Sequence, residues 1–205
     1  MMSYLKLYGV LGTLYMFGCY VRTRLFYRES RLIRFPFDIR GRKYINLGKN
    51  LTLGKYCRFE VFPHLMVDGE NVKLRIGENV QMNDNVHICA MQSVEIGDNV
   101  LMASNIYISD NSHGFYNGDN MKHSSPDISP IKRSYYMAPV KIEEKVWICQ
   151  GVVINPGVTI GKGSIIGANS VVTHSIPPYS IAVGAPANVI KHYNFDRACW
   201  INQGK

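Results

Sequence analysis

Aliphatic residues return every sixth position along most of this chain, and that spacing excludes the ordinary ways of folding 205 residues. Units open at Leu47 and Leu53, then at Ile76, Met82 and Ile88, and again at Ile96, Met102 and Ile108. An unbroken run follows at Ile142, Ile148, Ile154, Ile160, Ile166 and Val172. The fourth residue of a unit is usually Asn or Gly, as at Asn50, Asn79, Asn85, Asn99, Asn105, Gly151, Gly157, Gly163 and Asn169. These types tolerate positive φ best, so a corner is expected at each. The fifth is usually aliphatic or small, from Leu51 and Val80 to Ser164 and Ser170, and is expected to point inward with the first.

An amphipathic helix needs apolar residues at about 3.6 spacing, and a half-buried strand alternates for its whole length. Neither produces a corner every six residues. Short parallel strands wound into stacked coils do, because each coil hides its aliphatic face only against its neighbours. Three corners close one triangular coil, so Ile142 to Pro177 makes about two.

The tract from Ile142 to Ser175 resembles the hexapeptide-repeat acyltransferases, and the likeness extends over roughly residues 45–191. It implies an all-β fold, a left-handed parallel β-helix solenoid with an N-terminal helical arm and an expelled loop. The left hand comes from the resemblance and departs from the usual crossover rule. The expected organisation is an arm over 1–43, a β-helix over 44–191 with its loop at 109–139, and a tail over 192–205.

Net charge is +8, and the excess is local: residues 1–43 hold nine Lys/Arg against two Asp/Glu. Leu7 to Val21 carries no formal charge and is followed by Arg22, Arg24, Arg28, Arg31 and Arg34. Fifteen uncharged residues that include Gly9, Gly12 and Gly18 are too few for a comfortable membrane span. Two readings of the arm stay open: an interfacial helix whose arginines meet anionic lipid, or a cap over the open first coil. No recognised nucleic-acid module accompanies the charge. The five cysteines have neither metal spacing nor scaffold density, which favours a reducing compartment. The expected location is the bacterial cytoplasm, peripheral to the inner face of its membrane.

The repeats break between Ile108 and Val140, and a solenoid can expel such a loop without disturbing its core. His113 ends the last regular unit before it, where an imidazole can accept a proton near neutrality and return it to a leaving thiolate. The resemblance places the family's catalytic histidine at His113, after the unit that carries Asn105. It places an acceptor-side asparagine at Asn83, with Asp84, Asp110 or Asn111 free to orient His113, hold a sugar hydroxyl or serve a turn. The donor tract it implies is Asn105, Trp147, Gly151, Ala168, Thr173 and Lys191, with acetyl-CoA as co-substrate and no metal. Cys149 follows the Trp147-Ile148 pair with no base beside it by motif.

The function these expectations favour is O-acetylation of a sugar hydroxyl on a bacterial surface polysaccharide or its precursor, by a homotrimer. N-acetylation of an amino sugar or acetylation of serine is the runner-up, and a non-catalytic β-helix scaffold the third reading. A zinc enzyme on the same solenoid needs three convergent histidines, and His87, His113 and His123 lack that spacing.

Overall fold

A computed structural model describes residues 2–62, 73–116 and 123–203. Among them the six-residue units become strands of two to five residues on three parallel faces, consistent with the left-handed β-helix that the resemblance implies. The first face stacks Leu32–Ile33, Thr52–Leu53, Gln81–Met82, Leu101–Met102, Trp147–Ile148, Ile165–Ile166 and Ser180–Gly184. The second stacks Phe37–Arg40, Cys57–Val61, His87–Ala90, Tyr107–Ser109, Val153–Ile154 and Val171–Val172. The third stacks Ile45–Asn46, Leu74–Ile76, Val94–Ile96, Val140–Ile142 and Thr159–Ile160.

Register keeps like over like. Leu53, Met82, Met102, Ile148 and Ile166 form one inward ladder, and Phe59, Ile88, Ile108, Ile154 and Val172 another. Every unit-opening residue is buried, and so is the fifth-position series from Leu51 to Ser170. Where serine takes the fifth place its hydroxyl is satisfied: Ser164 Oγ donates to Pro177 O at 2.9 Å, and Ser170 Oγ accepts from Gly184 N at 3.1 Å. A buried hydroxyl without such partners costs free energy.

The corners are left-handed at all nine Asn and Gly positions, from Asn50 (φ 55) to Asn169 (φ 58). Tyr56 and Lys145 turn the same corner with φ 59 and 58, so neighbouring coils impose the conformation even where the residue type resists it. A second demand is stacking clearance. A Cβ on Gly48 would sit 1.9 Å from Gly77 O on the next coil.

The arm is a helix, Met2–Phe26, broken at Gly9 (φ 65, ψ −175). One stripe of it closes the open end of the coils. Tyr15 Oη donates to Phe35 O at 2.6 Å, Cys19 is buried, and Thr23 Oγ1 accepts from Ile33 N at 3.0 Å. Among the described residues no helix is long and apolar enough to cross a membrane.

Both ends of the solenoid differ from the sequence boundaries. Leu32–Ile33 and Phe37–Arg40 already pair with the next coil, so winding starts inside the 1–43 arm. That stretch lacks an Asn or Gly corner and carries Pro36, which hides the period. At the other end the 192–205 tail is part of a sheet: Ala187–Asn194 folds back antiparallel on Ser180–Gly184, and Cys199–Asn202 adds to it.

Candidate active site

The expelled loop is anchored where it leaves the second face, and the anchor is Asp110. This residue is fully buried, and its carboxylate accepts backbone N–H groups from Met91 (2.8 Å), Gln92 (2.7 Å) and Ser93 (2.7 Å). Asn111 Nδ2 adds a fourth bond at 3.0 Å. Charge-assisted bonds of this kind are about twice as strong as neutral ones, so they fix the exit angle of the chain. Asp110 therefore serves the turn, one of the three roles open to it from sequence.

Asn111–His113 then pairs antiparallel with Tyr135–Met137, setting His113 opposite Tyr135. Their rings lie 4.7 Å apart at 45°. Described parts of the loop gather on one guanidinium: Arg133 donates to Ile128 O (2.8 Å), Pro126 O (3.2 Å) and Tyr116 Oη (2.6 Å). Tyr116 Oη in turn donates to His113 O at 2.7 Å. The catalytic candidate thus sits on a braced hairpin, with its side chain exposed.

Hairpin and second face enclose a groove of about 940 Å³. Tyr107, Tyr116, Tyr135 and Tyr136 give it aromatic walls, and His113, Ser109 and Asn111 line its middle. Coil order runs from Glu60 and His87 at one end, through Ser109, to Asn155, Thr173 and His174 at the other. Thr173 Oγ1 is 2.8 Å from His174 Nδ1.

Of the residues expected from sequence, Asn111 and Thr173 join His113 in this groove. Asp84 does not: Arg34 Nη2 and the Lys55 backbone N–H both donate to its Oδ1 at 2.8 Å. It braces the first coils, the structural role among those open to it from sequence. Asn83 follows Gln81–Met82 on the first face, as Trp147 opens its own strand there, and Lys191 pairs with Ile181 in the C-terminal hairpin. Asn105 (φ 61) and Gly151 (φ 73) turn the edge between first and second faces, with Ala168 on the same edge beside Asn169. Asn105 Oδ1 accepts from Asn85 Nδ2 at 3.1 Å, a corner ladder.

Sequence reading missed Glu60, His87 and the arginines beside them. Arg58, His87 and Tyr107 are each the sixth residue of units that stack on one face, and that shared phase was the available signal. The cysteines add no nucleophile. Burial pushes the Cys57 thiol up to about 11 and raises those of Cys89 and Cys149, and all five are free. Among the described residues no group of His, Cys, Asp or Glu could hold a metal ion.

Comparison with known proteins agrees with this architecture. Residues 139–174 match the bacterial transferase hexapeptide (six repeats) family. An Escherichia coli K12 protein named "Putative lipopolysaccharide biosynthesis O-acetyl transferase WbbJ" is 40% identical over 196 residues, 95% of each chain. The galactoside O-acetyltransferase of the same strain is 41% identical over 159 residues, 78% of this chain and 72% of its own. Among solved structures, the hexapeptide-repeat acetyltransferase VCA0836 of Vibrio cholerae superposes with TM-score 0.57 at 30% identity, over 74% of this chain and 76% of that one. A variant of AntD, an N-acyltransferase from Bacillus cereus, superposes with TM-score 0.65 over 83% and 84% of the two chains, and at 21% identity it bears on the fold alone. With near full-length identity added to the coils, the expelled loop and its histidine, the chain belongs to the hexapeptide-repeat acyltransferase family.

Proposed function

We propose that this acyltransferase moves the acetyl group of acetyl-CoA to a hydroxyl of a sugar in a bacterial surface polysaccharide or its precursor. The observation that carries the reading is the groove: an exposed imidazole on a braced hairpin, walled by tyrosines that suit the apolar face of a sugar ring. The near full-length likeness to a protein named for lipopolysaccharide O-acetylation supports the acceptor class. His113 takes the proton of the acceptor hydroxyl as its oxygen attacks the thioester carbon. The C–S bond then breaks, and the imidazolium returns the proton to the departing thiolate. Thr173, His174 and Asn155, at the end of the groove toward the later coils, would hold the donor. Thiol release from acetyl-CoA should rise when p-nitrophenyl galactoside or a nucleotide-activated hexose is added. Release indifferent to every sugar would overturn the reading.

A homotrimer with grooves between copies is part of the proposal. Asn83 and Trp147 lie on the first face while His113 stands beside the second, so one chain does not unite them. Leu101, Trp147 and Ile165 also form an outward apolar column on the first face, with Leu101 42% and Trp147 46% exposed. A neighbour covering that column would carry its first-face residues to the next groove. Light scattering should give three chains per particle, and a stable, fully active monomer would contradict it.

The arm extends the proposal to the inner face of the cytoplasmic membrane. The helix stripe opposite its capping contacts presents Leu7, Val10, Leu11, Leu14, Phe17, Val21 and Leu25 to solvent, with Leu11 83% and Phe17 66% exposed. Full burial of such side chains is worth about 1.5–3 kcal/mol each, and nearby arginines add about 1 kcal/mol apiece at an anionic surface. Replacing Leu11 and Phe17 by Ser leaves the Tyr15 and Thr23 contacts intact. Partition onto anionic vesicles should fall at least about tenfold, with little change in melting temperature. Equal binding, or none by the parent, would leave the helix as a cap alone.

A further inference from the structure

Three histidines line the groove, and the surroundings of His87 are more constrained than those of His113. His87 Nε2 lies 2.9 Å from Glu60 Oε2. The Glu60 side chain is only 5% exposed, and its Oε1 is paired with both Arg40 (2.8 Å) and Arg58. Asp38 backs the arginines at 3.0 and 3.7 Å. Taking the Glu60 carboxylate out of water costs several kcal/mol before pairing offsets it, so it is a poor way to stabilise a fold. A coil needs nothing of the kind here, since the positions stacked over His87 on the later coils are Tyr107, Val153 and Val171. Glu60 and His87 line the groove, and a buried ionic group in a groove wall without a folding need is a functional-site candidate.

The chemistry of the cluster orients the His87 ring. A carboxylate flanked by two guanidiniums acts as an acceptor only, so the imidazole must present Nε2–H to it. In the neutral ring Nδ1 is then the free lone pair, and among the described residues it takes part in no hydrogen bond. The ring stands edge-on to Tyr107 at 5.2 Å, with its side chain 34% exposed and both residues lining the groove. Ser109, where the His113 loop departs, lies between this cluster and Thr173 in coil order. With the donor toward Thr173, the end at His87 is left for the acceptor.

We propose that His87 is an acceptor contact: its Nδ1 accepts a hydrogen bond from a sugar hydroxyl other than the one acetylated, and Glu60 is a positioning residue that sets the tautomer. The inference rests on the sugar O-acetylation reading. Tyr107, 40% exposed, gives the sugar's C–H face a flat neighbour. Together they select which hydroxyl stands before His113.

The test separates this role from folding and from base catalysis. His87→Phe keeps a ring beside Tyr107 and removes both nitrogens, whereas His87→Asn leaves an acceptor near the Nδ1 position. The assay is thiol release with p-nitrophenyl galactoside or UDP-galactose, whichever the parent uses better. His87→Phe should raise the acceptor KM at least about tenfold, with KM for acetyl-CoA unchanged, and His87→Asn should recover part of the loss. An unmoved acceptor KM overturns the inference, and so does a kcat loss matching that of His113→Ala, which would make His87 the base. A substrate-free readout stands beside it. Long-range ¹H–¹⁵N spectra of the imidazoles should show His87 protonated at Nε2 in the parent and a tautomer mixture in Glu60→Gln. A parent protonated at Nδ1 overturns the inference even where sugars stimulate turnover. Failure of every sugar to stimulate sinks the underlying reading and the inference with it, and the spectra then show whether the tautomer argument itself holds.

Discussion

His113→Ala is expected to slow acetyl transfer about 10²- to 10⁴-fold while moving the dissociation constant of acetyl-CoA much less. The asymmetry follows from where the side chain stands. His113 is exposed at the middle of the groove, on a hairpin held through Tyr116, Arg133 and the Asp110 carboxylate, none of which uses its imidazole for folding. Removing the ring therefore removes the proton acceptor and leaves the loop in place, so melting temperature should stay near the parent's. The groove end at Thr173 and His174, proposed to hold the donor, is also left intact. Turnover near the parent's would strike His113 from the mechanism. A collapse in stability would instead make the histidine part of the scaffold.

Gly48→Val is expected to be the most damaging single change to the fold, at about 3 kcal/mol or more. A Cβ there would meet Gly77 O at 1.9 Å and Ile76 O at 2.4 Å, both backbone atoms of the next coil that cannot swing aside. The coils would have to part, and the parallel hydrogen bonds between them would lengthen. Gly157 offers a contrast. Its φ is +81, yet the nearest atom to an added Cβ is Ala138 Cβ at 3.3 Å, so the cost is mainly the left-handed backbone, about 1–2 kcal/mol. Urea denaturation of Gly48→Val and Gly157→Ala side by side reads the difference. A larger loss at Gly157 would mean that corner conformation, not coil spacing, limits the stack.

The inward ladder and the corners were legible in the sequence because each recurs at a fixed phase. Six-residue spacing of Leu, Ile, Met and Val gave the faces, and Asn or Gly in fourth place gave the turns. Tyr56 and Lys145 escaped notice because tertiary stacking forces their corners against residue type. The second-place glycines recur at a fixed phase as well, but the clearance between coils that they serve is a property of the stack. The first coil was hidden by Phe35-Pro36-Phe37, which breaks the period although its strands pair normally.

The site was legible only in part. His113 stood out because it borders the break in the repeats, and Asn111 lay next to it. Asp110 and Asp84 were visible as acids, but only the fold shows their carboxylates already engaged by backbone amides and Arg34. The Glu60–His87 pair joins residues 27 apart in sequence, brought together by coil stacking alone. The arm was the opposite case: the cap reading matches the face that seals the first coil, and the interfacial reading remains part of the proposal, on the apolar face opposite.

The most direct measurement is the linkage formed on the product. Isotope-labelled acetyl-CoA incubated with the protein and a sugar acceptor, followed by mass spectrometry before and after mild alkali, reports where the acetyl group has gone. An O-acetyl ester on the sugar, lost in alkali and absent with His113→Ala, is the predicted result. An alkali-stable amide, or label that never reaches the sugar, would contradict the account.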